Sequence, residues 1–185
     1  LFYGWFRQAE VVDGRFRYAP NAPDWHVLFG WLQVERRTPL TAVADIPPWA
    51  ADHPHCRRRQ PLNPDSLYIA RAKLNLPGVN LPGGGVFSQF HEGLRLTDPA
   101  SQQRSRWQLP AWFHPAKRPS TLSYHGRADR WETAGDVVYL RTVGRGQEFV
   151  LDMGHYPEAE GWLRTLFANS FSRRPASKRG SNPTP

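Results

Sequence analysis

Four short stretches of this chain hold residue types that could do chemistry. "SYHGRADRW" at residues 123–131 and "RGQEFVLD" at residues 145–152 give the richest polar inventory. His125 can donate, accept or transfer a proton near neutral pH. Arg127 and Arg145 can grip an anion with two parallel N–H groups. The amide of Gln147 can read a base edge as donor and acceptor. Glu148 and Asp152 are the carboxylates that could act as general acid or base, given a pocket that shifts their protonation. These three titratable residues are the catalytic candidates. The competing reading makes residues 144–146 a tight turn, with Arg145 solvated and Glu148 in an ion pair. Neighbours such as Gln147 and Glu148 point to opposite faces of a strand, so they share a site only across a bulge.

"RSRWQLPAWF" at residues 104–113 interleaves arginine with indole. Guanidinium groups can hold phosphates while indoles stack bases, which is what recognition of an unpaired base requires. Arg106, Trp107 and Trp112 are the candidates here, with Trp31 from an earlier strand. The alternative is a core cluster in which Pro110 turns the chain so that both tryptophans face inward. "HPHC" at residues 53–56 has two histidines and a cysteine, but Pro54 stiffens it and the three arginines at 57–59 repel a cation. No metal site is therefore expected, and no cofactor. Cys56 as a nucleophile would need a base such as His53 or His55 beside it. The phosphate-binding, dinucleotide, zinc-protease and serine-elbow motifs are all missing, and whether the chain is an enzyme stays open.

Something must hold those groups in place. "LFYGWFRQ" and "VLFGWLQV" each carry Gly-Trp inside an apolar run, 26 positions apart. Both read as buried strands, with each glycine giving up a side chain where a ring or backbone must pass closely. The tryptophan after each glycine could then pack over the space left. "VVDGRFRY" is a hairpin signal around Asp13-Gly14. Residues 36–66 read as a proline-dense loop with a short helical turn near Trp49, and residues 75–90 as a long glycine-proline loop of the kind kept for function. Strands are expected at residues 67–74, 137–143 and 148–152. From Pro157 onward, Trp162, Leu163, Leu166 and Phe167 recur at helical spacing.

The expected fold is α+β: a β-rich single domain over residues 1–170 with long loops and a C-terminal helix, and a basic disordered tail over residues 171–185. A small, partly open barrel of the PUA-like kind would suit that element order. The chain has 185 residues and a formal charge of +8 from 24 basic and 16 acidic side chains. Four of the basic ones, Arg173, Arg174, Lys178 and Arg179, lie in the acid-free tail, which leaves +4 on the body. Such a balance favours polyanion partners but equally serves solubility. One cysteine allows no internal disulfide. With no membrane span and no signal peptide in sight, a cytoplasmic setting is expected.

"LFYGWFR", "DWHVLFGWLQV", "PWAADHPH", "SRWQLPAWF", "LSYH", "RGQEFVLD" and "WLRTLF" occur in this order. Together they resemble the family called nucleotide modification associated domain 3, over nearly all of residues 1–167. The resemblance implies a bacterial or phage protein tied to nucleotide or nucleic-acid modification, and it carries over no catalytic residues. Family members have a longer segment before the first strand, so a missing N-terminal portion is expected here. The partner implied is a nucleic acid or nucleotide, recognised through a base or modified base. An enzyme acting on such a base and a structural or protein-interaction domain are the alternatives.

Overall fold

β1 (Phe2–Arg7) and β4 (Asp24–Leu32) form the antiparallel pair on which the rest is assembled. The computed structural model describes residues 1–40, 42, 46–54, 56, 57, 66–116, 125–142 and 150–171. Between β1 and β4 runs the hairpin of β2 (Ala9–Val12) and β3 (Arg15–Tyr18), closed by Asp13 and Gly14 at φ 52° and 72°. Two consecutive positive φ values define the turn whose twist matches the strands, and Asp-Gly is a favoured sequence for it. β5 (Val34–Pro39) follows β4 at once and pairs with β6 (Ser66–Ala70) as a separate two-stranded ribbon. β7 (Gly84–Val86) adds a third strand to the first sheet, in the order β1-β4-β7. β8 (Arg106–Pro110), β9 (Trp131–Ala134) and β10 (Val137–Arg141) make a second sheet, in the order β8-β10-β9.

The two three-stranded sheets are stitched together by residues 95–97. The Leu96 N–H donates to the His26 carbonyl, and the Gln108 N–H donates to the Leu96 carbonyl. Among the described residues the strands do not close into a barrel. Their inner faces share one apolar core, in which Trp107, Phe113, Leu28, Leu94, Val138 and Leu140 are fully or almost fully buried. Helix α1 (Ala159–Phe171) packs on it through Ala159, Leu163, Leu166, Phe167 and Ser170. These positions recur every three to four residues, so they make a single stripe. Glu160 in the first turn suits the positive end of the helix dipole. At the other end the His91 ring and the Ser88 hydroxyl bond to Leu166 and Ser170 and fix the preceding loop on the helix. A smaller apolar cluster of Leu40, Ala50 and Cys56, with Ile46 and Leu67 packed against it, adjoins the β5–β6 ribbon.

The α+β class, the strand content and the C-terminal helix are those expected. Several details differ. Residues 36–39, read as loop, pair with β6 because their exposed side chains need no apolar pattern. β7 interrupts the glycine-rich loop, since glycines can enter a sheet where a large ring lies close. β8 is a strand although Pro110 ends it, because that proline stands at the last pairing position. Residues 150–152 are not strand, and the rest of the strand expected at 148–152 lies outside the described residues. The two glycines do not make room for their own tryptophans. The space above Gly4 is taken by Phe6 and Phe29, and that above Gly30 by the Gly85 carbonyl.

Candidate nucleic-acid interface

One face of β1 runs from the core to solvent within five residues. Tyr3, Trp5 and Arg7 alternate onto that face, opposite Leu28, His26 and Asp24 of β4. Tyr3 is buried, whereas Trp5 is 61 % exposed. At the inner end the Trp107 indole N–H donates to His26 Nδ1 at 2.9 Å. Tyr3 meets the Trp107 ring edge-on at 4.8 Å, and His125 lies tilted on it at 5.5 Å. Burial, and after it the charge of Arg104, lowers the His26 pKa to about 4. A ring that accepts at Nδ1 and is neutral carries its proton on Nε2. The His26 main-chain N–H donates to the Thr97 hydroxyl, which in turn donates to the Arg104 carbonyl. The buried histidine strand therefore sets where the Arg104 backbone sits.

At the outer end five side chains interlock. The Arg104 guanidinium lies 3.9 Å from the centre of the Trp5 ring. The Arg7 Nε–H donates to Asp24 Oδ1 at 2.7 Å, and the Arg7 guanidinium is 5.4 Å from the Tyr18 ring centre. Hydrogen bonding from Arg7, and then from Trp5, holds the Asp24 carboxyl below its ordinary pKa. Arg104 approaches the other Asp24 oxygen at 3.9 Å. Tyr18 and Phe16 of the hairpin are 70 % and 85 % exposed. Beside the strip, Arg95 covers Trp25 at 4.9 Å, and Trp25 stacks on Phe90. An ionised carboxylate beside an open indole and two guanidiniums can accept from a base's N–H groups, stack its ring and pair with its phosphate.

The residues singled out from sequence are placed as follows. Trp107 has no exposed surface, and Trp31 is buried among Phe87, Phe167 and Phe171 with its N–H donating to the Pro82 carbonyl. Neither ring offers a face to a base. Trp112 is half-buried, stacked on Phe113 at 3.8 Å. Arg106 lies over Tyr139 and is held charged first by Glu132 and then by Asp98. Arg127 is exposed and bound to Asp129 through two N–H groups. His125 is buried, with Nε2 2.9 Å from the Thr142 hydroxyl and its carbonyl accepting the Trp131 N–H. Asp152 is exposed beside His155 and accepts from the Gly154 N–H. Arg145, Gln147 and Glu148 lie outside the described residues, as do His55, Arg58, Arg59 and residues 172–185.

The structure thus brings His125 against Trp107 and leaves Arg127 and Asp152 in local ion pairs of their own. Trp5, Arg7, Tyr18 and Asp24 were not singled out from sequence. Their signal was the alternation in "YGWFR", which puts Trp5 and Arg7 on one side of a strand that ends in charge. Arg104 belongs to the interleaved stretch already noted. No group of His, Cys, Asp and Glu suited to a metal occurs among the described residues, and none of their helices is long and apolar enough to cross a membrane.

The family model for nucleotide modification associated domain 3 matches residues 1–152, a stretch that holds the whole strip and both three-stranded sheets. No curated protein and no solved structure matches the chain. With most of its length covered by that match, the chain belongs to the nucleotide modification associated domain 3 family.

Proposed function

We propose that this chain recognises a nucleotide base, in nucleic acid undergoing modification, at the strip formed by Trp5, Arg7, Tyr18, Asp24 and Arg104. The observation that carries the reading is the Trp5 ring, open to solvent and backed by Arg104 beside an ionised carboxylate. A base stacked on the outer side of that pair gains π contact whatever its identity. Asp24 adds selectivity for a base edge that presents donors. The reading is one of binding rather than chemistry: the buried His26 and His125 side chains support the strip from beneath, hydrogen-bonded to the Trp107 indole and the Thr142 hydroxyl respectively. A cytoplasmic setting suits a protein that meets nucleic acid.

Tryptophan fluorescence of the full chain, titrated with a dinucleotide, tests this. Quenching is expected in the parent protein, with loss of most of it in Trp5→Phe and a weaker complex in Arg104→Ala. Asp24→Asn should change which base quenches best. Equal quenching in all three variants, each with an unchanged circular dichroism spectrum, would overturn the reading.

A further inference from the structure

The β5–β6 ribbon carries a concentration of cations that the strip does not use. Arg36, Arg37, Arg71 and Lys73 are all exposed there, and Glu35 is the one acidic residue in residues 33–39 and 66–75. Arg37 donates to the Ser66 hydroxyl, while Arg36, Arg71 and Lys73 have no ion-pair partner among the described residues. Pairing places Arg36 opposite Ile69 and Arg37 opposite Tyr68, which is 54 % exposed. The Arg71 N–H donates to the Gln33 carbonyl, so the ribbon starts at the end of β4. Asp24 of the strip stands at the opposite end of that nine-residue strand. At about 3.3 Å per residue, the strand separates strip and ribbon by roughly 26 Å.

We infer that the ribbon is a phosphate-binding surface, and that the partner is a single-stranded nucleic acid long enough to lie on strip and ribbon together. The inference deepens the reading above and rests on it for the base at the strip. Four cations against one carboxylate in these segments complement a polyanion backbone, and exposed arginines with no ion-pair partner among the described residues give up little to pair with phosphate. At ~3.4 Å per stacked nucleotide, 26 Å is about eight nucleotides. A free nucleotide reaches one place only. Charge on an exposed two-stranded ribbon can also serve to keep its edges from pairing with other chains, and the test separates the two roles.

Oligothymidylates of about 2 and about 16 nucleotides are titrated against the full chain at several salt concentrations, by fluorescence anisotropy. The longer one is expected to bind more tightly and with a steeper salt dependence. In Arg36→Gln/Arg71→Gln, the slope of log affinity against log salt should fall by about 1.4, at ~0.7 per lost phosphate contact. That corresponds to a loss of roughly 25-fold for the longer strand at 0.1 M salt, with the dinucleotide unaffected. If the double variant keeps the parent's affinity for the longer strand, whether or not it self-associates, the ribbon is edge protection and the inference fails. Should Trp5→Phe then still lose dinucleotide quenching, the strip stands without the ribbon. Loss in the arginine variant with none in Trp5→Phe would keep the ribbon and remove the strip. Equal affinity for both lengths also overturns the inference, and failure of both lengths to bind overturns both readings.

Discussion

The dipeptide Gly-Trp occurs in β1 and again in β4, and its two copies do opposite things. Trp31 is in the centre strand of its sheet, 5 % exposed, with aromatic rings around it and its N–H bonded to the Pro82 carbonyl. Gly85 presses on its ring so closely that a Cβ there would lie 2.6 Å from Cζ2. Trp5 is in an edge strand, and its ring meets solvent, the Arg104 guanidinium and, through its N–H, the Asp24 carboxylate. Identical local sequence has yielded a core element and a candidate contact surface. Position within the sheet decides which. Trp31 lies where the centre strand runs under the helix and is covered, whereas the end of an edge strand outruns its cover.

The largest contrast should come from removing each ring. Trp31→Ala empties a packed site and is expected to destabilise by about 3–5 kcal/mol. Trp5→Ala loses a cation–π contact and a hydrogen bond to Asp24, both near the surface, and should cost about 1 kcal/mol. Urea midpoints of the two variants measure this directly, and similar shifts would break the comparison.

The ring beneath Trp5 gives the next effect. His26 accepts the Trp107 N–H and has its pKa lowered to about 4 by burial, then by Arg104. Because the folded value lies below the unfolded one, the stability tied to the neutral ring is complete above about pH 6.5. It is lost as pH falls toward 4, to a total of roughly 3 kcal/mol. Urea unfolding between pH 7 and pH 4 should show this loss, and His26→Gln, which keeps an acceptor, should flatten it. An unchanged profile in that variant would assign the acid sensitivity elsewhere.

The glycines themselves should differ least but in a telling direction. A Cβ at Gly30 meets the Gly85 carbonyl at 2.8 Å, and a backbone in a sheet cannot step aside. Gly30→Ala is expected to cost about 1–3 kcal/mol. At Gly4 the nearest atom is Cε2 of Phe6, at 2.9 Å, the far end of a ring that is 44 % exposed and can rotate away. Gly4→Ala should therefore stay within about 0.5 kcal/mol. Thermal midpoints compare the pair, and an equal loss would mean that β1 is held as tightly as β4.

Much of the fold was legible along the chain. Apolar runs bounded by polar residues marked β1 and β4, Asp13-Gly14 marked the hairpin, and the spacing of Leu163, Leu166 and Phe167 marked α1. These are local signals, set by side-chain period and backbone preference. The candidate site was less legible. Trp107 and Trp31 looked like stacking platforms because arginines or a strand end lay near them in sequence. Trp107 is covered by Tyr3 and His26 of the other sheet, and Trp31 by Phe167 and Phe171 of the helix, all of them more than 80 residues away in sequence. Trp5 passed as a core residue because nothing local says that its strand is an edge.

What the sequence determined by itself is the family and the elements with a strong local signal, namely β1, β4, the β2–β3 hairpin, β6, β10 and α1, since these rest on strings and periods read within short windows. Only the tertiary structure decided which aromatic rings are covered and which arginines find carboxylates. Those outcomes depend on strand order and on the stitch at residues 95–97, where His26 and Leu96 join two sheets that no local pattern could have brought together.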